Sequence, residues 1–484
     1  MNRKIATMAS VVGILPLASL CLGSVGLAAT ADELPGKVKV LNLGEVIQRA
    51  LNHDPKAQGT QARLEEATLT RQSAAGNYGP KLQVDGTLFY WNEPHDFLAV
   101  DSSSLDLSAV PSTLLPILQP LIGELAKPIR FRDQWTSQLQ VSVVQPITQL
   151  YSVHHGHQAA REGEVAAQHQ REQSQREVIY RGTEAYYRLL TAQHLYQVAE
   201  ESVVTLTAHL EQAKQYRDAD MLGLDEYLAV EVELGNAVEN QIKARTQRQL
   251  ARAALATLMG WTDALPFTLT DVDENAEPPL PLSLDNARGS GLDHRSEIAS
   301  LQAMAKASHE QSKMAWWQLT PQLSALGRYQ HTTGTAMNNT NEWFVGGVLS
   351  WNLWDWGTTY YKARAAEAQA RQVAAREVDA KDLIGLEITQ RFLAIEAARE
   401  RLNVARMTLR QATEAMRVVR MKFEQHTVPS TTVLDSQTRL SRAQANRIYA
   451  QYELILSVAA LRLSMGEGVP ATVLPEELVI SHNQ

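Results

Sequence analysis

Leu82-Gln83-Val84-Asp85-Gly86-Thr87-Leu88-Phe89-Tyr90 alternates along its length. Leu82, Val84, Gly86, Leu88 and Tyr90 fall on one side of an extended chain, and Gln83, Asp85 and Thr87 fall on the other. That period of two defines a strand with one apolar face. Just upstream, Pro80 stops a helix that begins at Asp54-Pro55, where proline sits in the first turn and its missing N–H leaves no bond unmade. Further back, Asn42 with Glu45 three residues later reads as a capping box, and Leu43, Val46, Ile47, Ala50 and Leu51 mark one apolar helix face. A partner strand is read over 135–147, where Leu139, Val141 and Val143 alternate with Gln138, Gln140 and Ser142.

This order of patterns occurs twice. Asn52-His53-Asp54-Pro55 to Pro80-Lys81-Leu82 aligns with Asp293-His294-Arg295-Ser296 to Pro321-Gln322-Leu323 at an offset of 241, and Gly86 falls on Gly327. Later, Leu228 matches Leu434, Leu234 matches Leu440, and Met259-Gly260 matches Met465-Gly466, at an offset of 206. The chain is therefore a tandem duplication. Copy one carries 241 minus 206, or 35, extra residues between Gly86 and Leu228. Copy two repeats the strand pair over 323–331 and 343–354, where Trp343, Val345, Gly347, Leu349, Trp351 and Leu353 share a face.

Four such strands with a clean apolar face are what a membrane β-barrel requires, because a closed sheet satisfies its backbone in lipid. Eight of the nine tryptophans (Trp91, Trp135, Trp316, Trp317, Trp343, Trp351, Trp354 and Trp356) lie at or near the strands. The smallest bacterial barrels use about eight strands, so four cannot close one: either the chain oligomerises or the barrel reading fails.

Each strand pair is followed by a long helical pattern. No proline occurs between Pro146 and Pro266, and the segment 158–217 reads as one helix of about sixty residues, roughly 90 Å long. Turns are placed at 218–224, with Gly223, and at 425–430, with Pro429. Returning helices of about thirty-five residues follow over 225–259 and 431–465. The helices that open each copy have the length needed to stack end to end on these returning helices, which makes a tall wall with strands at one end and turns at the other.

The first residues set the compartment. Arg3 and Lys4 precede a mostly apolar run, and Ala29-Thr30-Ala31 offers the small residues that signal peptidase reads, so 1–31 is read as a cleaved export signal. Leu20 before Cys21, the single cysteine, argues against a lipid anchor. No later run supplies the roughly 20 apolar residues of a spanning helix. The 45 Lys and Arg against 53 Asp and Glu, with no basic stripe interleaved with aromatics, exclude a nucleic-acid partner.

The opening Leu41-Asn42-Leu43-Gly44-Glu45-Val46-Ile47-Gln48-Arg49-Ala50-Leu51 is one of several stretches with a familiar look. The Pro80 and Pro321 boundaries, Trp351-Asn352-Leu353-Trp354-Asp355-Trp356-Gly357, Val428-Pro429-Ser430-Thr431-Thr432-Val433-Leu434-Asp435 and the closing Met-Gly pairs are others. In this order, twice over, they resemble the TolC family of outer-membrane efflux proteins across nearly the whole mature chain. The resemblance implies a homotrimer whose twelve-stranded β-barrel sits in outer-membrane lipid and continues as a long α-helical barrel through the periplasm. It implies an exit duct of a tripartite efflux or type I secretion system, working with a periplasmic adaptor (membrane fusion) protein and an inner-membrane pump. The rival reading is an exported coiled-coil periplasmic adaptor or scaffold without a pore, which would not need the four strands.

The expected organisation is a signal peptide over 1–31, repeat one over 32–260, a linker over 261–292, repeat two over 293–467 and a tail over 468–484. The resemblance maps a gate aspartate onto Asp435, while a second gate position falls on Thr432; Asp225 and Glu226 on the copy-one turn are candidates for the missing charge. Adaptor-docking tips are expected at Leu222, Gly223, Leu224, Val428, Pro429 and Ser430. The insertion between the copy-one strands, which includes Leu114, Ile117, Leu118 and Leu121, is expected as a partly ordered external cap. Ala363, Ala366 and Ala370 are expected to pack between subunits. His154-His155-Gly156-His157 is weighed as a metal site and read instead as a polar strand-to-helix junction, and His331 near Thr332-Thr333-Gly334 as a loop. No nucleophile elbow or phosphate loop is present, so no enzyme, cofactor or metal is expected.

Overall fold

The structure, a computed structural model, describes residues 39–97, 111, 113–125, 129–261, 267–271, 283–335 and 341–467. The expected export signal over 1–31, the tail over 468–484, and much of the inter-repeat linker and of the copy-one insertion lie outside the described residues.

Copy one runs β1 (Lys39–Leu41), α1 (Leu43–His53), α2 (Pro55–Gly76), β2 (Lys81–Tyr90), β3 (His95–Phe97), α3 (Leu115–Leu125), β4 (Ile129–Pro146), α4 (Leu150–Asp218) and α5 (Leu224–Leu258). After β5 (Phe267–Leu269), copy two runs α6 (Leu284–His294), α7 (Ser296–Trp317), β6 (Gln322–Thr335), β7 (Asn341–Ser350), α8 (Thr358–Glu424) and α9 (Ser430–Ser464). The duplication holds to the residue: α6 and α7 repeat the bounds of α1 and α2 at 241, and α9 repeats α5 at 206.

The ladder that pairs Lys81 with Val144 and Tyr90 with Trp135 recurs as Gln322 with Ser350 and His331 with Asn341. Tyr90 and Trp135 are 45 positions apart, whereas His331 and Asn341 are 10 apart, so the 35 extra residues sit between the copy-one strands. Two elements, β3 and α3, are described within them.

Local chemistry sets the helix ends. Asn42 and Glu45 form the expected capping box, at 2.8 and 3.1 Å. Asp54 caps α2 by accepting from the amides of Lys56 and Ala57, and its other oxygen accepts from Arg181 on α4 at 2.7 Å. At the far ends of α5 and α9 the Met-Gly pairs make matching stops. Gly260 and Gly466 are left-handed, with φ of 70° and 73°, and the next amides, of Trp261 and Glu467, donate back to the carbonyls of Ala256 and Arg462.

The helices form one layer. α4 packs against α2, α5, α7 and α9, α8 packs against α7 and α9, and α5 also meets α9. The short helices therefore stack end to end beside each long one, as length alone requires. A core of Leu41, Val46, Ile47, Tyr186, Leu190, Leu255 and Phe267 locks this stacking at mid-height. There β1 pairs in parallel with β5, and the Tyr186 hydroxyl donates to the Thr270 carbonyl at 2.5 Å.

Several expectations are corrected. α4 begins at Leu150, and α8 spans 67 residues to α4's 69. The His154 to His157 cluster therefore lies within the first two turns of a helix, because nothing after Pro146 and Ile147 interrupts helix formation. His331 to Gly334 is strand, not loop: His331, Thr332 and Thr333 pair across the duplication with Leu139, Gln138 and Ser137 of β4, and the Ser137 and Thr333 hydroxyls are 2.6 Å apart. The last strand leaves the ladder at Ser350, and 351–354 form no regular structure. Ala363 is fully buried within its own chain, so it is not free to pack against a neighbour.

A Cβ on residue 466 would lie 2.6 Å from the His294 carbonyl oxygen, and one on residue 260 would lie as close to the root of the His53 ring. Gly466→Ala and Gly260→Ala are each expected to cost more than the left-handed penalty of about 1–2 kcal/mol alone, and thermal unfolding of the purified variants checks both; in the background of His53→Ala, which removes the ring, Gly260→Ala should fall back towards that penalty.

Candidate functional site

Two regions carry functional chemistry, the strand wall and the opposite tip. In the wall, β2, β4, β6 and β7 lie in that order, all antiparallel, with β3 pairing β4. The registers put Leu82, Val84, Leu88 and Tyr90, then Val143, Val141, Leu139 and Trp135, then Leu323, Ala325 and Tyr329, then Leu349, Val345 and Trp343 on one face. On the other are Lys81, Gln83, Asp85, Thr87, Gln138, Gln140, Ser142, Gln322, Ser324, Arg328 and Gln330. One side of the sheet is thus apolar and the other largely polar across all four strands. The apolar side is bare: Val345 is 77% and Trp343 76% exposed. The outer edges, β2 and β7, have no further strand partner among the described residues.

Aromatics collect at both ends of the wall. Tyr90 and Trp135 pack at 4.9 Å near one rim. At the other, Trp351, Trp354 and Trp356 are exposed, and Tyr151 stacks on Trp317 at 4.1 Å. Here the histidine cluster serves structure. His154 contacts the Tyr78 hydroxyl at 3.2 Å, and the buried His155 ring contacts the Glu310 carboxylate, which also takes Lys313 at 2.8 Å. Among the described residues no group of three or more His, Cys, Asp or Glu could hold a metal, and no helix is long and apolar enough to cross a membrane.

At the tip, the two turns are copies of each other. Asp220 and His426, 206 apart, are both left-handed, and the amides that follow, of Met221 and Thr427, donate back to Tyr216 and Lys422 at 2.8 and 2.9 Å. Neither Gly223 nor Pro429 caps its helix through a side chain. Asp435 and Asp225 are exposed, Thr432 and Glu226 half-buried. Glu226 points inward and accepts from the Ser430 amide at 3.3 Å. Of the expected docking residues, Gly223, Leu224 and Pro429 are exposed, and Leu222 and Val428 half-buried. Ser430 is fully buried, which corrects its assignment as a docking surface.

Sequence reading missed the group beneath Ser430. His209 Nε2 lies 3.0 Å from the Ser430 hydroxyl, its ring 5.1 Å from that of Phe423, which in turn meets Tyr216. Burial lowers the imidazole pKa of His209 below its ordinary value, and the nearby Arg420 cation lowers it further. A lone histidine in mid-helix gave no sequence signal.

Residues 289–467, the second copy, match the family model described as outer membrane efflux protein. The fold as a whole is that of the outer-membrane channels it is similar to. Three solved structures carry the same fold over almost their whole length. The outer-membrane channel OprN is 19% identical, with 88% of this chain and 90% of that chain covered and a TM-score of 0.72. VceC from Vibrio cholerae is 16% identical, with coverages of 88% and 96% and a TM-score of 0.71. The MtrE channel of Neisseria gonorrhoeae is 16% identical, with coverages of 90% and 94% and a TM-score of 0.67. Comparison with curated protein sequences gives no match.

A bare apolar sheet face of this kind suits lipid. Val345→Arg, at its centre, is expected to cost about 2–4 kcal/mol of insertion stability, and Gln140→Arg on the polar face much less. The fraction of each variant that folds into lipid vesicles, read by heat-modifiable gel mobility, checks the contrast.

Proposed function

We propose that the protein is the exit duct of a tripartite efflux or type I secretion assembly, in which three chains close one twelve-stranded barrel and one helical tunnel. The observation that carries the proposal is the four-stranded sheet, apolar on one face and open at both edges. In hydrocarbon an open edge leaves amides and carbonyls unpaired, so β7 of one chain must meet β2 of the next. The helical wall supports the same closure. Along one free flank α2 has no buried residue and α5 exposes Leu228, Val232, Ile242 and Leu250; along the other, α8 exposes Leu386, Leu393, Val404 and Met407. Two such flanks of one chain fit a ring of head-to-tail contacts. A scaffold without a pore would leave the bare apolar sheet unexplained.

Substrate is handed over at the tip by an inner-membrane pump through a periplasmic adaptor, which meets the exposed residues Gly223, Leu224 and Pro429. Asp435 and Thr432 beside the second turn, with Asp225 and Glu226 beside the first, form the periplasmic gate. Three exposed carboxylates brought together favour cations. The two repeats serve as successive staves of the wall, over 32–260 and 293–467.

The native mass in mild detergent should be that of three chains, and the purified protein should give single channels in a planar bilayer. A monomer that keeps its strand content would overturn the trimer. Asp435→Asn is expected to lower cation preference, and Asp435→Asn with Asp225→Asn to lower it more, as read by reversal potential in a salt gradient; an unchanged potential in both would place the gate elsewhere.

A further inference from the structure

The turn between α8 and α9 delivers one residue, Ser430, whose backbone and side-chain polar groups are both taken by the other hairpin. Its amide donates to Glu226 Oε2 on α5, and its hydroxyl lies against His209 Nε2 on α4. Pro429 provides no side-chain cap, so the first turn of α9 is capped from outside its own hairpin. The seat is closed: Ser430 has no exposed surface and His209 is 8% exposed. Phe423 of α8 covers the imidazole, while Val433 packs with Phe423 and Met416, and Leu434 joins Leu206, Ala213 and Val230 of α4 and α5. The equivalent of Ser430 in copy one is Leu224, which is 62% exposed. The duplicated turns therefore differ at this position, and the difference joins the two hairpins.

We propose that His209, Ser430 and Glu226 form a proton-released clasp, which holds the two helical hairpins of a chain together at the tip while His209 is neutral and lets them part when it is protonated. The inference rests on the reading of the protein as a duct. A neutral imidazole and a hydroxyl can share one hydrogen bond in either direction. An imidazolium in the same seat is a buried cation without a carboxylate partner. From α8 it faces Arg420, a like charge; from α9 it faces the positive end of the helix dipole; Glu226 from α5 is directed to the Ser430 amide on the other side. The seated ring therefore binds a proton more weakly than a ring in water, whose ordinary pKa is about 6.5. As pH falls through that value, the parted state takes up the proton preferentially and gains population; above it this group exerts no bias.

The full-length protein in a planar bilayer tests this. Wild-type conductance is expected to rise severalfold between about pH 7.5 and about pH 5.5. His209→Gln, which keeps a hydrogen-bonding amide but cannot titrate, should hold the low conductance at both, whereas His426→Gln at the exposed turn should keep the wild-type rise. Ser430→Ala should give the high conductance at both. A second measurement reads the clasp without the pore: hydrogen exchange at 430–434, corrected for intrinsic rate, should lose protection at the lower pH in wild type and keep it in His209→Gln. A rise in conductance of equal size in wild type and His209→Gln, or protection that ignores pH in wild type, overturns the clasp. Protection that follows His209 in a protein without conductance supports the clasp and counts against the duct.

Discussion

Backbone hydrogen bonding in a medium without water is the constraint on which the rest of this molecule depends. Each strand of the wall carries donors and acceptors that hydrocarbon cannot satisfy, and a sheet of four strands leaves two edges unpaired. A chain that supplied a complete barrel would need twice as many strands or more. This chain supplies four, and its long helices continue directly from the strands, so the geometry that closes the sheet is also imposed on the wall of helices beneath it. The exposed apolar residues on α5 and α8 match that demand: they are left unburied by the protomer along both free flanks.

Duplication solves a length problem. The two helices of nearly seventy residues do not pack side by side, and along α4 lie a 22-residue helix and a 35-residue helix stacked end to end. The join between them would be a weak point. It is there that the largest core lies, with the β1 and β5 pair and the buried tyrosines of α4. The left-handed glycines at 260 and 466 end the returning helices at this level, which lets the chain leave the wall where the stacked helices meet. Where the copies differ, the difference has a consequence. Thirty-five residues are inserted on one strand loop, and a buried serine replaces an exposed leucine at one tip.

The plan of the fold was legible from residues 41–90 and their echo 241 positions later, since capping box, Asp-Pro start, proline stop and strand alternation are all local signals. Helix lengths, both turns, strand order within each pair and the polar and apolar sheet faces follow from periodicity alone. The apolar face in particular follows from chain geometry, because successive strand residues must point opposite ways. The start of α4 was less legible: the histidines 154–157 look like junction residues, yet a helix needs only the absence of a breaker to extend through them.

Tertiary structure alone decided what touches across the duplication. The pairing of β4 with β6, which turns the presumed loop at His331 into strand, joins residues almost two hundred positions apart, one in each copy. Likewise Asp435, Asp225 and Glu226 are equivalent in sequence as carboxylates near a turn. Yet two lie in water, while the third faces the start of α9 and meets an amide there. Ser430 reads as surface beside a proline turn and is fully buried. Such distinctions depend on the rotation of one helix about its axis relative to its neighbours, and that rotation is set by the packing of every side chain along the interface rather than by any local run of residues.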